Sequence, residues 1–277
     1  MRPAHIGKRN GVGGMSIEPP AGTITIAGKT ISRLGFGTMR LTGPGTWGHP
    51  EDFTTAVSVL RQAVHAYGIT HIDTADAYGP HTAEALIRHA LYPYPDDVLV
   101  ATKVGMIRPA PNVWAPHGHP GYLRACVEAS LRRLGRERLD LCYLHRIDPE
   151  VPIEDQLGTL QALKSEGKIG HIGLSKVTSE DIRLAGKYIT VAAVQNALNV
   201  RDHFDPALEL CRDLGIPYVA YRPLDAGSLV RGPGLEASLS WLLQLGPHVA
   251  PIPATGRLSH LAEIVSAGGA VGAGGRP

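Results

Sequence analysis

The stretch HIDTADAYGP, residues 71–80, begins as an apolar strand and within three residues becomes a run that holds Asp73, Asp76 and Tyr78. A protein core does not accept unpaired carboxylates at the depth where such a strand stops. Asp73 and Asp76 therefore mark a place where a buried strand opens onto something that needs them. The same pattern recurs outward along the chain. Short apolar runs lie at RLGFGT (33–38), HIDT (71–74), VLVATK (98–103), LDLCYLH (139–145), GHIGLS (170–175), VAAVQNA (191–197), PYVAYRP (217–223) and HVAPIPA (248–254). Between them, segments such as FTTAVSVLRQAVHAYG, LRACVEASLRRLG and IEDQLGTLQALKSEGK place apolar residues at i, i+3, i+4 and i+7, the helical spacing. Several stop at Gly68, Gly135 or Gly215, where a left-handed residue ends a helix. Eight alternations of strand and helix close most simply into an α/β fold of the (β/α)8 TIM-barrel type. An open doubly wound sheet is the alternative, but GFGTMR after the first run is not the GxGxxG turn that such a sheet carries. Ahead of the barrel, TITIAGKTIS (23–32) reads as a β-hairpin turning near Ala27-Gly28-Lys29, placed to plug the barrel's bottom.

The length of 277 residues suits one such barrel, typically ~250 residues, and no Ser/Pro-rich linker divides it. We expect a flexible N-terminal extension over residues 1–16, a single barrel over 17–266 and a flexible Gly-rich tail, AGGAVGAGGRP, over 267–277. Residues 1–14 lack the apolar segment of a secretory signal, and no run of ~18 apolar residues spans a membrane. A net charge of +2 with scattered Lys and Arg leaves no nucleic-acid or anionic-membrane footprint, so the expected partner is a small molecule. Cys126, Cys142 and Cys211 form no CxxC pair and suit a reducing cytoplasm as core residues. The expected assembly is a monomer or weak oligomer.

Barrel chemistry gathers at the C-terminal ends of the strands. Those ends read Thr38, Asp73, Lys103, His145, Ser175, Gln195, Tyr221 and Thr255, with Tyr78 just past the second. Singly, Asp73 could cap a helix, Lys103 could be solvated, His145 could be an interior histidine and Tyr78 could pack. Together, on consecutive strands, they match proton transfer coupled to hydride transfer. A carbonyl under reduction must receive a proton, and a phenol with a pKa of ~10 delivers it more readily if that pKa falls. Lys103 is expected to lower it, Asp73 to keep the lysine charged, and His145 to orient the carbonyl oxygen or help pass the proton.

With LGFGTM, HIDTADAYG, VLVATKVG, LDLCYLHRID, EGKIGHIGLS, VQNALNV, AYRPL and IPATGRLSHLAEI in order, the sequence resembles the aldo-keto reductases over roughly residues 23–266. The LHRID form is similar to the bacterial and plant branch with pyridoxal reductase-like and potassium-channel β-subunit-like members. The resemblance implies a barrel that binds NADPH, favoured over NADH, without a Rossmann unit, and reduces an aldehyde or ketone. It makes Asp73, Tyr78, Lys103 and His145 the catalytic set, with Tyr78 as proton donor. It places Ser175 and Gln195 on the nicotinamide carboxamide, Tyr221 on the nicotinamide ring, and Thr38, Met39 and Asp73 near the cofactor. The remaining implied cofactor contacts are Arg222, Pro223, Leu224, Thr255, Gly256, Arg257, His260 and Glu263. Arg257, opening the last helix, is a plausible clamp for the adenosine 2′-phosphate.

Two positions depart from the family. Ser175 is followed by Lys176 where Asn is frequent, and Glu263 by Ile264 where Asn is usual. The connection from Leu224 to Leu235, with Gly227, Gly232 and Gly234, is short, which predicts an open site and fast cofactor exchange. The loops GPGTWGHPEDF and MIRPAPNVWAPHGHPGY supply the expected substrate wall, where Trp47 and Trp114 suit an aromatic, natural-product-like or pyridine-type carbonyl. Either Trp could instead pin its loop. Tyr78, His145 and Arg146 complete the expected substrate contacts. His117-Gly-His119 lies in a Pro/Gly-rich loop without a carboxylate, so no metal is expected. Two other functions fit parts of the pattern. One is a non-catalytic NADPH-binding redox sensor or regulatory subunit. The other is a lyase using Lys103 as a Schiff base, against which the paired Asp73 speaks.

Overall fold

The computed structural model of the chain describes residues 18–230 and 234–273. The expectations for residues 1–16, Gly232 and residues 274–277 lie outside the described residues. The chain enters through a hairpin of β1 (Thr23–Ile26) and β2 (Lys29–Ser32), antiparallel, turning at Ala27 and Gly28 with φ of 53° and 74°. Next come β3 (Phe36–Gly37), β4 (His71–Asp73) and β5 (Leu99–Val104). In the loop after β5, β6 (Met106–Ile107) and β7 (Ala115–Pro116) form a small antiparallel ribbon that the sequence pattern does not announce. Then follow β8 (Leu139–Leu144), β9 (Ile169–Ser175), β10 (Val191–Ala197), β11 (Tyr218–Tyr221) and β12 (Val249–Pro251). The eight longer-range strands form one parallel sheet in the order β12-β11-β10-β9-β8-β5-β4-β3. Its two edges meet, because Gly35 N–H donates to Pro251 O and Gly37 N–H to Pro253 O, both at 2.9 Å. The sheet is thereby a closed (β/α)8 barrel, as the eight apolar runs predict.

Helices α1 (Phe53–Arg61), α2 (Thr82–Leu91), α3 (Pro120–Leu134), α4 (Ile153–Ser165), α5 (Ser179–Ala185), α6 (Pro206–Leu214), α7 (Leu235–Gln244) and α8 (Leu258–Ala273) surround it. Their ends follow local chemistry. Asp52 accepts from Thr55 N–H at the start of α1, and Thr178 with Asp181 forms a reciprocal capping box at α5. Gly135 and Gly215 end α3 and α6 with φ of 65° and 67°. Strand residues such as Ile72, Cys142 and Ile172 pack with apolar side chains of the helices in one large cluster. A second cluster fills the barrel, where Ile24, Ile26 and Ile31 of the hairpin meet Leu99, Leu141, Tyr143 and Val219. Lys29 Nζ donates to the carbonyl of Val98, just ahead of β5, so the hairpin closes the N-terminal end.

The Gly-rich segment from Ala267 differs from its expected flexibility, because α8 continues to Ala273. Ala267 is buried in a cluster with Leu34, Leu224, Leu239 and Ile264. A Cβ at Gly268 would stand 2.7 Å from Leu34 Cδ2, so glycine there permits close packing of the helix onto the chain before β3.

Candidate active site

Parallel register delivers the polar residues to one end of the barrel. Gly37 lies beside Asp73, Asp73 beside Ala101, and Lys103 beside Tyr143. Past Asp73 the chain turns sharply at Gly79, whose φ is 99° and where a Cβ would collide with Thr82 Oγ1 at 1.7 Å. That turn directly follows Tyr78, whose hydroxyl stands beside the Lys103 ammonium. Lys103, 1% exposed, donates to Asp73 Oδ1 at 2.5 Å and to Thr74 O at 2.8 Å, and its Nζ lies 3.5 Å from Tyr78 Oη. The other Asp73 oxygen accepts from Gln195 Nε2 at 2.7 Å. Thr38 Oγ1 donates to Asp73 O at 3.0 Å and so anchors the strand end.

Burial raises the pKa of Tyr78, the Lys103 ammonium pulls it back, and the net direction is upward. The expected net lowering is thus reversed, because removing a phenolate from water outweighs one nearby cation. Burial disfavours the Lys103 ammonium, yet Asp73 and Tyr78 more than offset this and its pKa is raised. His145 is pushed well below its ordinary value by burial and then by Lys103, Lys176, Arg146 and Arg108, so its imidazole is neutral. At neutral pH the site therefore holds a protonated phenol, a charged lysine and an uncharged histidine.

Behind these residues lies a second acidic pair to which the sequence pattern assigns no role. Glu84 accepts from Thr102 Oγ1 and Arg133 Nε, each at 2.6 Å. Asp76 is 1% exposed, and neither of its carboxylate oxygens has a hydrogen-bond partner among the described residues. Burial and the neighbouring Glu84 raise its pKa to about 8.

A cavity of about 1000 Å³ opens above the four residues and runs to the start of α8. Asp73, Tyr78, Lys103 and His145 line one part of it, together with Met39, Ser175, Gln195 and Tyr221. Arg222, Pro223, Leu224, Thr255, Gly256, Arg257, His260 and Glu263 line the remainder, so the implied cofactor residues converge on a single space. Two expected residues do not line it. Thr38 is buried and bonded to the Asp73 carbonyl. Trp47 pairs its backbone with Gly79 and sets its ring 5.7 Å from the Arg108 guanidinium, which fits the reading in which it pins its loop.

Trp114 does face the cavity, edge-on to Tyr78 and His145 with ring centroids 6.2 and 6.1 Å away. Arg108 holds it there. Its guanidinium lies 3.6 Å from the Trp114 ring centroid and donates to the carbonyls of Val113, Thr46, Ala77 and Gly45 at 2.8–2.9 Å. One side chain thus clasps the loops after β3, β4 and β5, which sequence spacing cannot reveal because the partners are backbone atoms. His117 stacks on His119, and His119 Nδ1 accepts from Gly121 N–H at the start of α3.

The space fits an extended dinucleotide better than a small carbonyl alone. It offers the Tyr221 ring and buried amide and hydroxyl groups of Gln195 and Ser175 near the lysine, and the Arg257 cation at the head of α8. Among the described residues no helix is long and apolar enough to cross a membrane.

The sequence model of the Aldo/keto reductase family matches residues 33–234. An uncharacterized oxidoreductase of Schizosaccharomyces pombe is 43% identical over 90% of this chain and 85% of its own length. Pyridoxine 4-dehydrogenase of Escherichia coli is 37% identical over 88% of this chain and 92% of its own. In structure, a thermostable aldo-keto reductase solved with the inhibitor epalrestat superposes with a TM-score of 0.73 at 28% identity, covering 88% of this chain and 93% of that one. An aldo-keto reductase of Klebsiella pneumoniae solved with NADPH shares the fold, with a TM-score of 0.72, 23% identity and 89% coverage of each chain. With this barrel, these strand ends and these relatives, the chain belongs to the Aldo/keto reductase family of oxidoreductases.

Proposed function

We propose that the protein is an NADPH-dependent carbonyl reductase that converts an aldehyde or ketone to the alcohol, with Tyr78 as the proton donor. The observation that carries this reading is the buried Asp73–Lys103–Tyr78 arrangement at the floor of a cavity large enough for a dinucleotide. NADPH, when bound, supplies the hydride. Ser175 and Gln195 would hold its carboxamide, Tyr221 its nicotinamide face, and Arg257 its 2′-phosphate. The chain's own residues handle the proton. Tyr78 keeps it on Oη because burial raises the phenol's pKa. As negative charge builds on the carbonyl oxygen, Oη releases the proton, and the phenolate left behind is stabilised by the ammonium 3.5 Å away. Asp73 keeps that ammonium charged and immobile. His145, neutral beside Tyr78, is suited to a hydrogen bond with the carbonyl oxygen without competing as a cation. Trp114 offers the apolar flank on which an aromatic substrate would rest.

A Schiff-base role for Lys103 needs a neutral amine, whereas here the carboxylate at 2.5 Å holds it protonated. The direct test is Tyr78→Phe. NADPH binding, read by protein fluorescence, should persist while carbonyl reduction falls by roughly 10²–10⁴-fold, the usual contribution of general acid catalysis. A variant reducing aldehydes at the parent rate would overturn the role given to Tyr78. A parent protein that binds NADPH yet oxidises it with no member of an aldehyde panel would favour the redox-sensor reading.

A further inference from the structure

The ends of β8 and β9 carry two cations to which the proton chemistry gives no role. Leu144 and Leu174 are register partners on these adjacent strands, so Arg146 and Lys176, each two residues further, follow neighbouring strand ends at the barrel mouth. Both line the cavity. Among the described residues neither side chain forms an ion pair or a hydrogen bond, and Arg146 Nε is buried without a partner. Arg222, which follows Tyr221 at the end of β11, is by contrast paired with Asp225 at 3.0 Å. The nearest catalytic carboxylate, Asp73, is fully engaged by Lys103 and Gln195.

Lys176 also holds a strained backbone. Its φ is 55°, a left-handed conformation that glycine adopts freely and lysine does not. That turn sets the ammonium 5.7 Å from the Tyr221 ring. Burial, then Arg146 and Arg222, push the Lys176 pKa down to about 8, so the charge sits where its surroundings disfavour it. Backbone strain of this kind collects at functional sites, and uncompensated like charges are relieved by an arriving ligand of opposite sign.

Resting on the carbonyl-reductase reading above, we propose that Arg146 and Lys176 form a receptor for an oxyanion carried by the substrate, so that the protein prefers aromatic carbonyl compounds bearing a carboxylate or phosphate. The planar guanidinium suits two oxygens of such a group, and the ammonium adds a point charge. The two residues directly follow His145 and Ser175, beside the reacting centre, whereas Arg257 stands at the head of α8. Trp114, edge-on to His145, supplies the apolar flank for the ring between the two polar ends of such a molecule.

The test compares 4-formylbenzoate and 4-formylphenyl phosphate with the neutral methyl 4-formylbenzoate in the parent, Arg146→Leu, Lys176→Met and Arg146→Lys. In the parent at least one anionic aldehyde should show a higher kcat/KM than the ester, and which of the two leads identifies the oxyanion. The anion-to-ester ratio should fall about ten- to a hundredfold in Arg146→Leu and Lys176→Met, the scale of one charge-assisted hydrogen bond, and partly recover in Arg146→Lys. NADPH affinity, read by fluorescence, should change by less than about threefold. An unchanged ratio in both variants overturns the receptor. So does an equal loss on anion and ester that tracks weakened NADPH binding, because the cations would then serve the cofactor's phosphates. Calorimetry of 4-(hydroxymethyl)benzoate and its methyl ester with the NADPH-saturated protein, an alcohol and a reduced cofactor that cannot exchange a hydride, reads the receptor without turnover. If the parent reduces no aldehyde but binds this acid more tightly than its ester, and Lys176→Met removes the difference, the receptor stands and only the reductase reading falls.

Discussion

At the N-terminal end of the barrel Ile24, Ile26 and Ile31 meet Leu99, Leu141 and Val219, while at the C-terminal end Asp73, Asp76 and Lys103 are buried just as deeply. The same strands build both ends. Below, burial is matched to apolar surface and each side chain contributes through transfer from water and packing. Above, burial is imposed on charges, and each must find a partner or change its protonation. Asp73 has found two partners and Asp76 none, although only two residues separate them. Depth alone does not distinguish a stabilising position from a functional one; the match between burial and chemistry does.

The largest break between the two ends should come from Ile31→Ala. The residue is 1% exposed inside the plug, and its truncation should lower stability by about 2–5 kcal/mol, read by urea or thermal unfolding. Activity per folded molecule should stay at the parent level, since Ile31 does not line the cavity. A loss of kcat in the folded variant would show that the plug reaches the chemistry.

Arg108→Ala should act on the other end with the opposite profile. It removes a guanidinium that joins three loops and carries Trp114, so the KM for an aromatic aldehyde should rise about tenfold or more while NADPH affinity holds. Stability should fall by only about 1–3 kcal/mol, and Arg108→Lys should restore little, because an ammonium cannot reach four carbonyls and stack at once. An unaltered KM would mean that Trp114 keeps its place without the clasp.

The two ends were also unequally legible. Eight strands could be read because each is an apolar run bounded by glycine or polar residues, and the hairpin because Ala27-Gly28 is a turn between alternating runs. Asp73, Lys103 and His145 could be placed because a strand end is a local feature. What local pattern cannot supply is a tertiary partner. Gly268 reads as flexible until Leu34 is seen beside it, and Trp47 looks equivalent to Trp114 until Gly79 and Arg108 claim it. The sign of the Tyr78 shift was hidden for a similar reason. Lys103 is visible in the sequence, but the depth of burial that outweighs it is not.

Asp76→Asn should have the smallest effect near pH 4–5 and the most telling dependence on pH. In the unfolded chain an aspartate titrates near ~3.9, whereas in the fold burial and Glu84 raise Asp76 to about 8. An acid whose folded pKa is raised binds its proton more tightly when folded, so its contribution to stability is greatest below the unfolded pKa. That contribution declines as pH rises from about 4 to about 8, by roughly 1.4 kcal/mol per unit, and is flat above. Asparagine has no such slope, and its buried amide is no less partnered than the protonated carboxyl it replaces. The variant should therefore come close to the parent near pH 4–5 and be more stable near pH 8, with the curves diverging between. Glu84, Arg133, Cys126, Tyr122, Lys103 and Tyr78 surround position 76 in both proteins, so subtracting one stability curve from the other isolates that position. Curves that stay parallel from pH 4 to pH 8 would mean that Asp76 finds a partner in solution, and the contrast drawn with Asp73 would collapse.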